Sequence, residues 1–271
     1  MDTDSPLITI ITVCYNVSST IEKTILSVIN QNFSDFEYII IDGGSTDDTL
    51  EIITKYKDRI SFWLSEPDAG IYDAMNKGIK LATGEWINFM NAGDVFYDMQ
   101  ILKRVFSIDR FSDVIYGDNM LCYRWGNIVL APDDIEKTRD FMVFGHQTVF
   151  AKSKLLLKYL FDTNYKIAAD YDLFFRIYID NHIFEYIPIC ICKFSAYDGA
   201  STNNPLITFL EDSKINARNK NKNWKLILFL YKMRLNLRKY ILLLLPAEFI
   251  ENTKRKNILK NKLIKRVILN D

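Results

Sequence analysis

Residues 37–49 read EYIIIDGGSTDDT, an apolar segment that stops at Asp42 and gives way to a polar loop. The β-branched run predicts a strand covered on both faces, and the glycines after it suit a turn. Acidic residues then open segment 46–56, which predicts a helix because the helix dipole favours negative charge in the first turn. A strand, a loop and a helix in this order are typical of a crossover unit in a parallel sheet.

The same alternation extends to both sides of this stretch. Apolar, β-branched segments predict further strands, and segments with apolar residues on one face predict further helices. Ser19 and Glu22 have the spacing of a capping box at the start of the first helix. The other predicted strands are 7–15, 60–65, 85–91, 114–117, 122–130 and 147–151, and the other predicted helices are the one after Ser19, 69–82 and 171–179. We therefore predict an α/β protein with a mostly parallel sheet.

Composition and short motifs exclude several classes of function. Hydrophobic residues make up 49% and charged residues 25% of the chain, which excludes wholesale disorder, collagen and coiled coil. His146 and His182 are the only histidines, so a multi-histidine metal site is excluded. The glycine patterns of dinucleotide-binding folds and of P-loop enzymes do not occur. The four cysteines form no C-x-x-C pair and no signal peptide pattern opens the chain, so we expect reduced thiols in the cytoplasm.

Charge is divided unevenly along the chain, although the formal net charge is zero. Residues 214–271 carry 16 Lys and Arg against three acids, whereas residues 1–213 carry 18 basic against 31 acidic residues. A basic tail on an acidic body favours contact with an anionic surface. Nucleic acid is one such surface, but the tail is also rich in leucine, isoleucine and phenylalanine, which favours a membrane.

The tail predicts two basic amphipathic helices, at 224–245 and 253–269. The longest uninterrupted apolar run, 240–245, is far below the ~20 residues of a spanning helix. We therefore expect these helices to lie on a membrane surface, where basic residues are attracted to anionic lipid. The alternative is a basic helical cap that packs on the rest of the chain or on another subunit.

Acidic residues follow three of the predicted strands: Asp42, Asp68 and Asp94. Ligands of open parallel sheets bind off the carboxyl ends of the strands, so we expect these side chains around one pocket. Carboxylates there bind a cation, accept hydrogen bonds from sugar hydroxyls or ring N–H groups, or take a proton. A nucleotide with a divalent ion uses all three. Each acid alone is also typical of a turn or a helix cap.

A series of ordered motifs lies within about residues 5–200: TVCYN (12–16), IIIDGGSTDDT (39–49), SEPDAGIYDAMNKGIKLATGEW (65–86), FMNAGD (89–94), GHQTVFAK (145–152) and AADYDLFFRI (168–177). Together these motifs resemble the family-2 nucleotide-sugar glycosyltransferases. The nearest branch resembles the bacterial enzymes of capsule, O-antigen and exopolysaccharide assembly. The resemblance implies the GT-A fold, a Rossmann-like, mostly parallel central sheet flanked by helices, here with a basic helical extension at the C-terminus.

The predicted domain organisation follows from the resemblance and from the change of pattern near residue 205. We expect a glycosyltransferase domain at 1–205 and a basic amphipathic helical tail at 206–271. Within the domain, residues 1–98 would bind the nucleotide sugar and residues 99–205 the acceptor.

The resemblance also assigns residues to the nucleotide-sugar site. Asp42 matches the acid that contacts the uracil or the ribose, and Lys77 is available to offset diphosphate charge. For Tyr15 a core aromatic is the alternative, and for Lys77 it is a surface lysine. The residues expected around the donor are Thr12, Val13, Tyr15, Asp42, Asp68, Asn76 and Lys77.

The metal and the catalytic base are the other roles that the resemblance implies. Asp94 is the one acid left in the metal motif, and one carboxylate with diphosphate oxygens and water completes an octahedral Mg or Mn site. Asp170 matches the base, although Ala169 stands where a Glu is usual. His146 is a metal ligand, a phosphate contact or a structural histidine. The remaining candidates for acceptor or donor contacts are Asn91, Asp118 and Gln147.

These roles predict an inverting glycosyltransferase that moves a sugar, most simply from a UDP-sugar, to a hydroxyl of a glycan or lipid-linked acceptor. A single displacement needs one base and no covalent intermediate, because a nucleoside diphosphate leaves without protonation when a cation screens its charge. We expect surface polysaccharide synthesis at the inner face of the cell membrane, without nucleic acid. The alternatives are a non-catalytic nucleotide-sugar binding module and a scaffold of a polysaccharide-assembly complex.

Overall fold

The computed structural model describes residues 5–197 and 199–269, and within these ranges ten strands form one sheet. The outer ends of the two predicted domains, 1–4 and 270–271, lie outside the described residues. The strands are β1 (Ile8–Cys14), β2 (Phe36–Asp42), β3 (Phe62–Ser65), β4 (Trp86–Phe89), β5 (Val95–Phe96), β6 (Val114–Tyr123), β7 (Gly126–Leu130), β8 (Val149–Lys152), β9 (Phe184–Ser195) and β10 (Ile264–Leu269).

Helices cover both faces of this sheet. They are α1 (Ile21–Ile29), α2 (Thr49–Lys55), α3 (Ile71–Leu81), α4 (Ile101–Val105), α5 (Ser153–Tyr159), α6 (Ala169–Ile179), α7 (Ala200–Asn203), α8 (Pro205–Ile215), α9 (Trp224–Leu244) and α10 (Ala247–Ile258). The predicted α/β class is therefore confirmed. None of the helices within the described ranges combines the length with the apolar composition that crossing a bilayer requires.

Strand directions bring several strand ends to one edge of the sheet. The order is β10-β7-β6-β8-β4-β1-β2-β3, and β9 pairs with β6 and with β5. Strands β1 to β4 pair in parallel, as predicted, whereas β8 runs antiparallel to both β4 and β6. Strand β6 therefore points the same way as β4. The carboxyl ends of β1, β2, β4 and β6 lie at the same edge, which we call the strand-end edge.

Strand β1 shows how the sequence separates the two cores. All of its residues are buried, and successive side chains point to opposite faces. Ile8 and Ile10 pack in the core that α1 and α4 cover, and Ile11 and Val13 pack in the core that α3, α5 and α6 cover. An unbroken apolar run is therefore the expected pattern for this strand, since both faces are covered.

The capping box predicted at Ser19 and Glu22 is wrong. Helix α1 begins at Ile21, its N-cap is Thr20, and that residue makes no capping hydrogen bond through its side chain. Glu22 instead accepts hydrogen bonds from Lys55 Nζ and Tyr56 OH, both at 2.7 Å. The Glu22 carboxylate therefore bonds side chains at the end of α2 and does not bond the backbone at the start of its own helix.

The predicted helix at 253–269 is also wrong over its second half. Helix α10 ends at Ile258, and Ile264–Leu269 forms strand β10, which pairs antiparallel with β7 and places Val267 opposite Ile128. Two causes favour the strand: the segment is rich in β-branched residues, and β7 would otherwise present an unpaired edge. The end of the tail is thus part of the central sheet.

Candidate active site

Asp42 organises the loop at the end of β2. Its Oδ2 accepts hydrogen bonds from Ser65 Oγ (2.7 Å), Ser45 N (2.8 Å) and Gly44 N (3.0 Å), and its Oδ1 accepts one from Ser45 Oγ (2.5 Å). Burial alone would raise the pKa of Asp42, but the hydrogen bonds from Ser45 and Ser65 hold it below its ordinary value. The carboxylate has no exposed surface, so its structural contacts are those of a loop anchor.

Gly43 lies between two predicted donor residues. A Cβ at this position would meet Asp68 Oδ2 at 2.5 Å and the ring of Tyr15 at 3.5 Å. The ring of Tyr15 is largely exposed, with 59% of its surface open to solvent. Tyr15 and Asp68 therefore flank one backbone position at the strand-end edge, and their contact with the donor stays a prediction.

A second set of hydrogen bonds ties the loop after β1 to the loop after β2. Ser45 Oγ accepts from Asn16 N (2.8 Å), and Asp47 accepts from Ser18 N (3.0 Å) and from Thr49. The hydrogen bond from Thr49 lowers the pKa of Asp47 to about 2. Neither Ser45 nor Asp47 is among the predicted site residues, although both lie inside the motif IIIDGGSTDDT (39–49).

The other predicted donor residues divide into buried and exposed ones. Thr12 and Val13 are buried, and Thr12 Oγ1 donates to Met90 O at 2.7 Å. Asn76 is also buried, and both ends of its amide bond the backbone of Phe161 at 2.9 Å. Lys77 reaches over the third loop, where its Nζ lies 2.8 Å from Glu66 Oε1. Of these residues, Lys77 is the one with a charged group at the surface.

Three elements meet around His146 at the strand-end edge. Asn91 Nδ2 lies 3.1 Å from His146 Nε2, and His146 Nδ1 lies 3.4 Å from Asp170 Oδ2. The loop after β4 thus supplies Asn91 and Asp94, the loop before β8 supplies His146 and Gln147, and the first turn of α6 supplies Asp170. We call Asn91, Asp94, His146 and Asp170 the base cluster.

Burial and charge act against each other inside the base cluster. Burial raises the pKa of Asp94 to about 6, although His146 and Gln147 favour its ionised form. For His146, burial lowers the pKa, but the hydrogen bond with Asp170 and the charges of Asp170 and Asp94 outweigh it and leave the pKa raised. Perturbed carboxyl and imidazole groups side by side are typical of sites that bind cations or move protons.

The residues of the base cluster fit a Mg or Mn ion that is shared with a ligand. In the part of the chain that the structure describes, no three His, Cys, Asp or Glu side chains converge to bind a metal alone. Asp94 offers one carboxylate, and the buried Oδ1 of Asn91 has no hydrogen-bond partner among the described residues. Both are hard oxygen ligands of the kind that Mg and Mn prefer. The remaining positions would fall to diphosphate oxygens and water.

Asp118 lies on the acceptor side and is paired with the tail. The carboxylate is buried, accepts a hydrogen bond from Tyr186 OH (2.7 Å) and lies 3.0 Å from Lys265 Nζ on β10. Tyr186 also lines a neighbouring cleft of about 550 Å³, together with Tyr116 and the loop 132–136. Lys265 could not be found from sequence spacing, because 147 positions separate it from Asp118.

The fold matches solved glycosyltransferases. With 19% identity and a TM-score of 0.60, 78% of this chain superposes on 64% of S. aureus TarS 1–349 in complex with UDP. The mannosyltransferase PcManGT from Pyrobaculum calidifontis, in complex with GDP-Man and Mn2+, gives 17% identity and a TM-score of 0.61, over 80% of this chain and 65% of that one. The chain spans just under two thirds of each solved chain. This likeness establishes the class as the GT-A glycosyltransferase fold.

Sequence comparison then gives the family. Residues 9–198 match the model of glycosyl transferase family 2, and the chain belongs to that family. A PGL/p-HBAD biosynthesis glycosyltransferase from Mycobacterium tuberculosis (strain ATCC 25177 / H37Ra) is 29% identical over 208 residues, which are 73% of this chain and 80% of that protein. The resemblance to family 2 is thereby confirmed, whereas the capsule and O-antigen branch stays a prediction.

Proposed function

We propose that this protein is an inverting glycosyltransferase that moves a sugar from a nucleotide-sugar donor to an acceptor hydroxyl. The observation that supports this most is the base cluster. In it, the imidazole of His146 lies between the carboxylate of Asp170, which we assign as the base, and the candidate metal ligand Asp94. Glycoside hydrolases need a second carboxyl group to protonate a poor leaving group. A nucleoside diphosphate leaves without a proton, so one base suffices.

Three residues of the base cluster have distinct tasks in this reaction. Asp170 takes the proton from the acceptor hydroxyl as that oxygen attacks the anomeric carbon from the face opposite the diphosphate. Asp94 and the diphosphate oxygens of the nucleotide sugar would hold Mg or Mn. The cation would neutralise the negative charge on the departing diphosphate. His146 separates the two carboxylates and holds Asp170 in place, which favours positioning as its role over metal ligation.

We propose a UDP-sugar as donor, with a hexose or N-acetylhexosamine as the sugar. The family supports a nucleotide sugar, and the two structural neighbours were solved with UDP and with GDP-Man, so a GDP-sugar is the alternative. Tyr15 and Asp68 would contact the base and ribose from either side of Gly43. Lys77 would approach the diphosphate, while Thr12, Val13, Asp42 and Asn76 hold the pocket walls in place through buried contacts.

For the acceptor, we propose a glycan or a lipid-linked glycan of surface polysaccharide synthesis. The cleft beside Tyr186 is lined by Tyr116, whose ring centroid lies 4.8 Å from that of Phe144, two residues before His146 in the chain. The related mycobacterial protein carries the name PGL/p-HBAD biosynthesis glycosyltransferase, which supports a role in biosynthesis. Asp118 and Gln147 then shape this side without a direct part in the reaction.

Helix α9 supports a membrane partner. Apolar side chains with more than half of their surface exposed, including Phe229, Leu230 and Leu237, recur along the helix among basic residues such as Arg234 and Arg238. Such a helix suits the interface of an anionic bilayer. We therefore propose peripheral binding at the cytoplasmic face through α9, whereas β10 packs on the protein itself.

A substitution of the base tests the catalytic proposal. Asp170→Asn keeps the shape of the side chain and removes its basicity, so we expect donor binding within about 2-fold of wild type and a loss of turnover of about 10²- to 10⁴-fold. Nucleotide release from UDP-glucose, UDP-N-acetylglucosamine and GDP-mannose with Mn2+ measures turnover. Unchanged turnover in Asp170→Asn would contradict the role of Asp170 as the base. Nucleotide binding without nucleotide release by the wild type would favour the second candidate, a non-catalytic nucleotide-sugar binding module, for which Ala169 in place of Glu is the supporting observation.

A further inference from the structure

Helix α8 binds the backbone segment that leads into Asp170. Glu211 Oε1 accepts a hydrogen bond from Lys166 N at 2.8 Å, and Glu211 Oε2 accepts from Ile167 N at 3.0 Å and from Ala168 N at 2.9 Å. Three consecutive amides thus converge on one carboxylate. Helix α8 begins at Pro205, the predicted boundary, and Glu211 lies beyond that boundary and beyond the matched family region, which ends at residue 198.

The position of this carboxylate has a clear physical reason. Helix α6 begins at Ala169, and its N-cap residue, Ala168, has no side-chain acceptor for the free amides at the helix start. The helix dipole also favours negative charge at this end, and hydrogen bonds to an ionised acceptor are about twice as strong as neutral ones. Glu211, from a distant part of the chain, bonds the amide of the N-cap residue Ala168 and those of the two residues before it.

A second contact holds the same segment from the opposite side. The hydroxyl of Tyr72, on α3, donates a hydrogen bond to Ile167 O. The peptide groups of Ile167 are therefore bonded both by α3 and by α8, three residues before Asp170. Ala169, where the resemblance leads us to expect Glu, is fully buried, so the carboxylate that bonds the backbone of 166–168 comes from α8.

We propose that Glu211 is a positioning residue for the base. By fixing the backbone of 166–168, it sets the start of α6 and with it the direction in which Asp170 faces His146. This inference rests on the proposed role of Asp170 as the base. It also makes α8 a part of the catalytic unit, although the sequence pattern assigns it to the tail.

The neighbouring acid, Asp212, allows backbone positioning to be separated from a simple charge effect. Burial raises the pKa of Asp212 to about 6, and the negative charges of Asp170 and Glu211 act in the same direction. Asp212→Asn therefore removes a carboxyl group close to Asp170 while leaving the three hydrogen bonds of Glu211 in place. Glu211→Gln removes one acceptor oxygen and turns an amide group towards backbone N–H donors.

The test compares Glu211→Gln, Glu211→Asp, Asp212→Asn, Asp170→Asn and the exposed control Glu251→Gln in the full-length chain. Turnover is measured as nucleotide release from whichever of UDP-glucose, UDP-N-acetylglucosamine, UDP-galactose and GDP-mannose the wild type hydrolyses fastest with Mn2+. Amide hydrogen exchange of 163–172 is measured on the same samples, together with thermal unfolding.

For Glu211→Gln we expect kcat to fall about 10- to 100-fold, because a small displacement of a reacting group costs about that much. The donor KM should stay within about 2-fold, exchange at 166–168 should accelerate, and Glu211→Asp should retain more activity than Glu211→Gln. Asp212→Asn and Glu251→Gln should resemble wild type. The shift in kcat without a shift in donor KM is the signature that a merely structural residue would not give.

Three results would overturn the proposal, and each is distinct. In the first, Glu211→Gln keeps the wild-type kcat although its amides at 166–168 exchange faster; this would show that the segment does not position the base. Equal losses in Glu211→Gln and Asp212→Asn would assign the effect to charge. Wild-type turnover in Asp170→Asn would show that Asp170 is not the base, and the proposed mechanism would fall together with this inference. A loss of turnover in Asp170→Asn together with normal turnover in Glu211→Gln would refute this inference alone.

Discussion

At the scale of single residues, Asp94 links the chemistry to pH. Its pKa is raised to about 6, so the group is largely protonated at pH 5 and largely ionised at pH 7. A cation competes with that proton for the carboxylate. We expect Mn2+-dependent UDP binding to strengthen as pH rises through about 6, measured by calorimetry at fixed ionic strength. The same titration on Asp94→Asn should be weak and flat, and a wild-type pH response in that variant would contradict the assignment.

Gly43 gives a second prediction at this scale. A Cβ in Gly43→Ala would collide with Asp68 Oδ2 at 2.5 Å, so the carboxylate has to move out of the donor pocket. We expect nucleotide affinity to fall about 10-fold, while the unfolding temperature stays close to wild type because the far end of Asp68 can rotate. Asp68→Ala in the same background is the control. The Asp68→Ala substitution should remove the collision with the new Cβ. A further tenfold loss of nucleotide affinity in the double variant, relative to Gly43→Ala, would therefore contradict this explanation.

The donor loops also show how far residues can be predicted from sequence. Acids after parallel strands identify the strand-end edge because strand direction alone brings them together. Contacts such as those of Ser65 with Asp42, or of Glu211 with 166–168, depend on how distant segments pack. No local spacing encodes them, so the sequence predicts the location of the site better than its supporting contacts.

At the scale of elements, most strands and helices follow from periodicity, and the failures have specific causes. Strand β9 was not predicted, because Pro188 interrupts it and register shifts near Gly117 and Asp118 break the alternation of its pattern. Strand β10 was predicted as helix, because its apolar residues also fit a helical row and its partner β7 is far away in sequence. Both strands depend on an edge that another part of the chain provides.

Strand β10 also carries a testable ion pair. Lys265→Ala leaves the buried Asp118 carboxylate with Tyr186 as partner, and we expect a loss of about 1–3 kcal/mol in the free energy of unfolding. Removing one partner of a fully buried ion pair costs about 3–5 kcal/mol. We expect a smaller loss here because the Lys265 side chain is 40% exposed. Urea unfolding measures the loss.

A double-mutant cycle with Asp118→Asn isolates the pair, and the exposed Lys262→Ala is the matched control. In the double variant the uncompensated charge is gone, so the two losses should be less than additive by about 1 kcal/mol. Strict additivity would show that Lys265 contributes to stability without its contact to Asp118.

At the scale of the whole molecule, the acidic body and the basic tail are joined by contacts and are not merely adjacent. Lys265 pairs with Asp118, and Arg218 Nη2 lies 3.2 Å from Asp140 Oδ1. Helix α9, in contrast, has several large apolar side chains at the surface, including Phe229, Leu230 and Leu237, together with the basic residues Arg234 and Arg238. Removing the whole tail would also remove β10, so point variants of α9 are the better test of membrane binding.

For that test we expect full-length protein to float with vesicles that contain anionic lipid and less so as salt is raised. Phe229→Asp with Leu237→Asp should abolish flotation, because two exposed apolar anchors are lost and negative charge is added. Asn236→Asp adds charge on the same helix without removing an anchor and should float nearly as wild type. Equal flotation of all three proteins would argue against α9 as the membrane surface.

The central claim is that the strand-end edge binds a nucleotide sugar with the help of a cation at Asp94. The most direct measurement is a thermal-shift titration of UDP, GDP, dTDP and CMP, each with and without Mn2+. We predict that UDP with Mn2+ stabilises the protein by about 5–10 °C at a concentration of ~100 times its Kd, and much less without Mn2+. No shift with any nucleotide under either condition would contradict the claim and favour a scaffold that acts through its tail.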